Sequence, residues 1–191
     1  MSSSSSPRLP SSARSRSTLS WQRTPTLRRW SPAAAWRPAM DPRWWRWVAS
    51  TDSLTARLIA ASPRPFRVRL LDEGIGVPRR DEAQSLGLAP GRVAWIREVL
   101  LMSGEHPWVA ARSVAPLTRG GCRSLRALGE RSLGSWLFAQ PDLERGPIEL
   151  SADPAGVWLR RSRFRHGRIQ LLVQERFLTQ MAADLGLPPG A

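Results

Sequence analysis

Runs of alternating apolar and polar residues, folded back on one another through tight turns, constrain this chain most. Residues 92–102 (RVAWIREVLLM) and 108–115 (WVAARSVA) flank Ser103-Gly104-Glu105, and residues 157–165 (VWLRRSRFR) and 168–178 (RIQLLVQERFL) meet at His166-Gly167. A period of two marks half-buried strands, and short polar or glycine-bearing breaks between them mark hairpins. Residues 147–152 (PIELSA) read as another strand, as does the run from Phe66, where Val68 and Leu70 alternate with Arg67 and Arg69 before Glu73-Gly74. Helical signals lie around and between these strands. Asp41-Pro42 is a capping carboxylate followed by proline at the first helical position, and Trp44, Trp45 and Val48 supply an apolar face. Leu54, Leu58 and Ile59 predict a second helix to about residue 60, stopped by Pro63 and Pro65. Residues 122–139 hold two short helical patterns split by Gly129, and a polar helix over about 179–185 closes the chain. Five or six strands, mostly hairpin-connected, with helices before and between them predict one α+β domain built on an antiparallel sheet.

The same alternation places two charges on apolar faces. Arg97 shares its face with Val93, Trp95, Val99 and Leu101, and Glu175 shares its face with Ile169, Leu171, Val173 and Phe177. A lone ion on a core face is costly and requires a partner. Either the two neutralise one another, or other charges, as structural pairs, or they line a cavity under the sheet and grip opposite ends of a small polar ligand. An arginine fork suits a carboxylate, and a carboxyl in apolar surroundings suits a hydroxyl.

Weaker constellations follow the same logic. Arg161, Arg163 and Arg165 share a face with Val157 and Leu159 while Arg160 points the other way, which reads as a solvated face or a second anion contact. Arg112 shares a face with Trp108, Ala110 and Val114 and either points inward or does not. His106 and His166 fall in turns and read as exposed polar residues, and Cys122 reads as an inert thiol. One cysteine and two distant histidines exclude a disulfide framework and a Cys- or His-rich metal site. The sequence contains no Walker loop, G-x-G-x-x-G or Ser–His–Asp set, and no stretch approaches the length of a membrane span.

Net charge is a poor guide to partners here. All 29 basic residues are Arg against 15 acids, giving +14, and Lys and Tyr are absent. Such exclusion reflects a GC-rich codon usage more than demand for a polyanion, so nucleic acid is not the expected partner. Residues 1–40 carry 11 Ser, 5 Pro and 7 Arg without an acid, and so hold +7 of the total. They read as a disordered leader, with the domain spanning 41–191. Three origins fit that leader: an over-called start with Met40 as the true first residue, a bland tail, or an acid-poor transit peptide.

The phrases that contain the two inward charges belong to a recognisable set. DSLTARL (52–58), WIREVLL (95–101), PWVAARSVAP (107–116), SLGSWLF (132–138), IELSADPAGVWLRRSRFR (148–165) and LLVQERFL (171–178) occur in order and in register across residues 41–178. This domain resembles the chorismate pyruvate-lyase (chorismate lyase) family. The resemblance implies an antiparallel, about six-stranded sheet with helices over a closed ligand cavity. It implies a cofactor-independent lyase that converts chorismate to 4-hydroxybenzoate and pyruvate for ubiquinone synthesis, in a cytoplasmic monomer. It assigns Arg97 to the ring carboxylate and Glu175 to the ring hydroxyl. The backbone at Leu54, where familiar members carry Met, and at Leu133 would contact ligand from two covering flaps. Arg112, Arg160 and Arg161 are then the candidates for the enolpyruvyl carboxylate. The same fold also serves as the sensing domain of bacterial transcription regulators, which is the alternative reading. The leader and residues 77–90 match the family poorly.

Overall fold

The computed structural model describes residues 28–118, 125, 127–153 and 155–190. Cys122 lies outside these residues. Among the described residues, eight strands form one wholly antiparallel sheet. They are β1 (Ser31–Pro32), β2 (Phe66–Gly76), β3 (Ala94–Ser103), β4 (His106–Pro116), β5 (Glu144–Arg145), β6 (Glu149–Ala152), β7 (Trp158–His166) and β8 (Ile169–Phe177). The order across the sheet is β1-β6-β7-β8-β4-β3-β2, with β5 also paired to β7. All six strands expected from alternation are present. The two additional strands, β1 and β5, have two residues each, too few to display a period.

Among the described residues, five α-helices accompany the sheet: α1 (Pro42–Val48), α2 (Leu54–Ala61), α3 (Arg80–Ser85), α4 (Leu133–Phe138) and α5 (Thr179–Leu185). Asp41 caps α1 as its sequence implies, its Oδ1 accepting from the Arg43 backbone N–H at 2.7 Å. Ser53 and Ser132 cap α2 and α4 in the same way, accepting from Ala56 and Ser135. The sequence gives no apolar stripe for α3, because its six residues are RDEAQS and its inner residue is a buried glutamate, Glu82.

Helices α1, α2, α4 and α5 cover one face of the sheet, where Trp44, Val48, Leu58, Leu101, Phe177 and Met181 form the largest core cluster. A second cluster on this face joins Leu133 and Leu137 of α4 to Trp95, Phe164 and Leu171. Trp108 belongs to the first cluster rather than to the face of Arg112. The β3–β4 register shifts after Leu101↔Val109, so that Met102 opposes Pro107 and Trp108 is the extra residue. Its indole N–H donates to Asp184 of α5 at 2.9 Å.

Residues 28–40, assigned from composition to a disordered leader, carry β1 and a 3₁₀ helix over Ala33–Ala39. β1 pairs with Leu150 and Glu149, Trp36 meets Trp158 edge-to-face at 5.3 Å, and Met40 is buried. Composition misses this because the order comes from aromatic contacts with β7, not from local propensity. A chain beginning at Met40 would lack these contacts. It is expected to be about 1–3 kcal/mol less stable to urea than the full chain, the scale of one aromatic pair plus its buried area. Equal midpoints and slopes for the two chains would show that residues 28–39 contribute nothing.

Candidate functional site

On the helix-covered face, β3, β4 and β8 bring Arg97 and Glu175 to one cavity. Register fixes this: Arg97 opposes Ser113, and Glu175 opposes Ala111 two residues along β4. Their backbones are therefore about 12 Å apart, from strand spacing and rise. The space between the cavity's lining side chains is about 570 Å³ when adjoining open solvent is counted with it. Val68, Val99, Leu101, Phe164 and Val173 make its walls apolar, while Arg97, Arg145, Arg160 and Glu175 supply all its lining charges among the described residues.

Arg97 and Glu175 do not neutralise one another. Arg97, 2% exposed, donates from Nη1 to Glu73 at 2.7 Å and from Nη2 to the carbonyls of Gly129 at 2.6 Å and Arg131 at 3.2 Å. Three of its five donors are thus held by protein, and two have no partner among the described residues. Glu73 faces Arg97 because β2 bulges between Leu70 and Asp72; without the extra residue Asp72 would stand there. Glu175 instead pairs with Arg160, its β7 neighbour, which donates to it from Nε and, at 3.3 Å, from Nη2. The Arg160 Nη1 reaches the carbonyls of Trp47 at 3.1 Å and Ser50 at 3.3 Å.

Leu54 and Leu133, the first residues of α2 and α4, are buried and line the cavity. The two helix starts are joined over it by a hydrogen bond between Thr55 Oγ1 and Ser132 Oγ at 2.8 Å. Close approach requires glycine next to Leu133, since a Cβ on Gly134 would lie 2.6 Å from Thr55 Oγ1.

Of the three arginines weighed for a second carboxylate, only Arg160 reaches the cavity. Arg112 opposes Glu98 and Gln174, and Arg161 opposes Gln174, so pleat alternation turns both to the other face. There Arg112 bonds Glu82 at 2.7 Å and Glu98 at 2.6 Å, while Arg161 bonds Glu149 at 2.7 Å and stacks under Trp30. Arg163 and Arg165 lie on this face but are exposed. Neither histidine lines the cavity. His106 is less free than a turn residue, its Nδ1 lying 2.8 Å from Asp184, and His166 packs edge-on to Trp136.

Two cavity-related groups escape a period-two reading. Glu73 lies beyond the bulge that changes its face. Arg145 occupies the two-residue β5, just before Gly146-Pro147, where nothing in the local pattern marks it. Its Nε donates to Ser162 Oγ and its Nη1 to the Ser50 carbonyl, both at 3.1 Å, beneath the Phe164 ring. Burial, and then the adjoining Arg160, push its pKa down to about 10.

The arrangement defines a class: an α+β protein with an apolar, charge-lined cavity between one sheet face and two capped helices. The chain belongs to the chorismate lyase family, whose model matches residues 18–184. It is 58% identical over 181 residues to a probable chorismate pyruvate-lyase of Chromohalobacter salexigens, covering 89% of this chain and 99% of that one. It is 42% identical to a probable chorismate pyruvate-lyase of Pseudomonas aeruginosa over 74% of this chain and 86% of that protein. Among solved structures, the C-terminal domain of the histidine utilization repressor from Pseudomonas syringae matches with TM-score 0.46 and 11% identity, over 59% of this chain and 91% of that one. Among the described residues, no helix is long and apolar enough to cross a membrane.

Proposed function

We propose that this protein is a chorismate pyruvate-lyase that forms 4-hydroxybenzoate and pyruvate without a cofactor, at the first committed step of ubiquinone biosynthesis. The observation that carries the reading is the apolar cavity with Arg97 at one end and the Arg160-braced Glu175 at the other. In this reading Arg97 holds the ring carboxylate with its two remaining donors, and Glu175 meets the C4 hydroxyl. Backbone at Leu54 and Leu133 covers the ring.

The chemistry asks little beyond positioning. The C3–O bond to the enolpyruvyl group breaks, C4 loses a hydrogen, and the methylene carbon gains one to become the methyl of pyruvate. Atoms balance between chorismate and the two products, and aromatisation supplies the driving force. Glu175 orients the C4 hydroxyl and relays a proton as general acid/base. The apolar walls exclude water, which strengthens the arginine contacts. The protein acts as a cytoplasmic monomer on a small molecule, with no nucleic-acid partner.

Purified full-length protein given chorismate, with no added cofactor, is expected to release 4-hydroxybenzoate and pyruvate in equal amounts, followed by ring absorbance and a coupled pyruvate assay. Absence of both products would overturn the reading. Binding of 4-hydroxybenzoate without any turnover of chorismate would point to a sensing role instead.

A further inference from the structure

We propose that Arg145 is a second carboxylate-binding residue of the cavity, taking the enolpyruvyl carboxylate of the substrate. The inference rests on the lyase reading and adds to it a residue and the substrate group it recognises.

Charge pairing within the sheet sets Arg145 apart. The four buried arginines of the sheet each contact a carboxylate: Arg97 meets Glu73, Arg112 meets Glu82 and Glu98, Arg160 meets Glu175, and Arg161 meets Glu149. Arg145 touches only neutral oxygens, on Ser162 and Ser50, and no carboxylate among the described residues lies in contact with it. Its Nη2 donates to no atom among them. The group lines the cavity, and a pKa of about 10 leaves it cationic at neutral pH. A half-buried, unneutralised guanidinium facing a cavity is costly unless an anion completes it.

Position identifies the anion. The carbonyl of Ser50 accepts from both Arg145 and Arg160, so the two guanidinium groups sit side by side at the Glu175 end. Glu175 offsets one of the two cations and leaves one positive charge in excess. Chorismate carries two carboxylates. With the ring carboxylate on Arg97, the enolpyruvyl group leaves C3, next to the C4 hydroxyl that meets Glu175, and its carboxylate falls at this same end. The product 4-hydroxybenzoate lacks that carboxylate, and pyruvate retains it. Arg145 therefore distinguishes substrate from aromatic product, whereas Arg97 and Glu175 serve both.

The test compares the unaltered protein with Arg145→Gln and Arg145→Lys, using chorismate kinetics and a fluorescence titration with 4-hydroxybenzoate. Arg145→Gln is expected to raise KM for chorismate about 10- to 100-fold, the scale of one charge-assisted contact, with unchanged affinity for 4-hydroxybenzoate. Arg145→Lys should recover part of the KM. An unchanged KM in Arg145→Gln, or equal losses for chorismate and 4-hydroxybenzoate, would overturn the proposal while leaving the lyase reading intact. Failure of the unaltered protein to turn over chorismate would overturn both. Should Arg145→Gln not fold, saturable binding of pyruvate to the unaltered protein holding 4-hydroxybenzoate, weakened in Arg145→Lys, decides the matter; no such binding would refute it.

Discussion

Arg97→Ala is expected to lose roughly 10²-fold or more in chorismate turnover, the scale for removing a preorganised electrostatic partner. The same change should abolish measurable binding of 4-hydroxybenzoate, since the proposed function puts Arg97 against the carboxylate that substrate and product share. Two further consequences follow from its bonds. Glu73, with a side chain 18% exposed, loses its cation, and the turn at Gly129–Arg131 that leads into α4 loses its anchor. Some loss of stability is therefore expected as well, and turnover must be normalised to folded protein. Arg97→Lys separates the effects. It keeps a charge opposite Glu73 but not the planar fork, so it should fold better than the alanine variant and still bind the product poorly. A folded Arg97→Ala protein with full turnover would remove Arg97 from the site.

The largest effect on stability is expected on the opposite face of the sheet. Arg112 joins Glu82 of α3 to Glu98 of β3, and Gln174 of β8 also donates to Glu82 at 2.6 Å. Burial alone would raise the pKa of Glu82, but the hydrogen bonds and charge of Arg112 hold it below the ordinary glutamate value. Arg112→Met removes the cation hydrogen-bonded to both buried carboxylates, leaving the charge of Arg79 acting on them, and should cost about 3–5 kcal/mol in urea denaturation at pH 7. The pH dependence has a definite sign. In the unaltered protein the folded Glu82 titrates below its unfolded counterpart, so its contribution is complete above about pH 4.3 and is lost as the pH falls further. In Arg112→Met, burial is opposed only in part by the backbone N–H and charge of Arg79 and by Gln174, so the folded pKa rises, and protonation on acidification relieves the strain. The deficit should therefore shrink between pH 7 and pH 5. A deficit that is constant with pH would mean that packing, not charge, is what Arg112 supplies.

The legible part of this molecule is what alternation controls. Parity alone put Arg97 and Glu175 on the buried faces of their strands, because a period of two leaves no third option within a regular run. It could not name their partners, which depend on register between strands. Glu73 meets Arg97 through one bulged residue in β2, and Arg160 meets Glu175 through the β7–β8 pairing. The same lack of register left Arg112 and Arg161 among the cavity candidates, although both belong to the other face. Arg145 was invisible because a two-residue strand has no period. Helix α3 was invisible because its buried side is ionic. The order in residues 28–40 is not legible in composition, because tryptophan anchors in a Ser/Pro/Arg-rich stretch act through distant contacts.

One carbonyl couples features that lie on separate elements. Ser50 sits in the short connector between α1 and α2, and its oxygen receives the Nη1 donors of both Arg145 and Arg160. The connector leads directly into the α2 start that covers the cavity and is tied to α4 through Thr55 and Ser132. Lifting that cover by moving the connector either breaks the two arginine bonds or drags both cations outward. The roof and the charged floor are thus geared together.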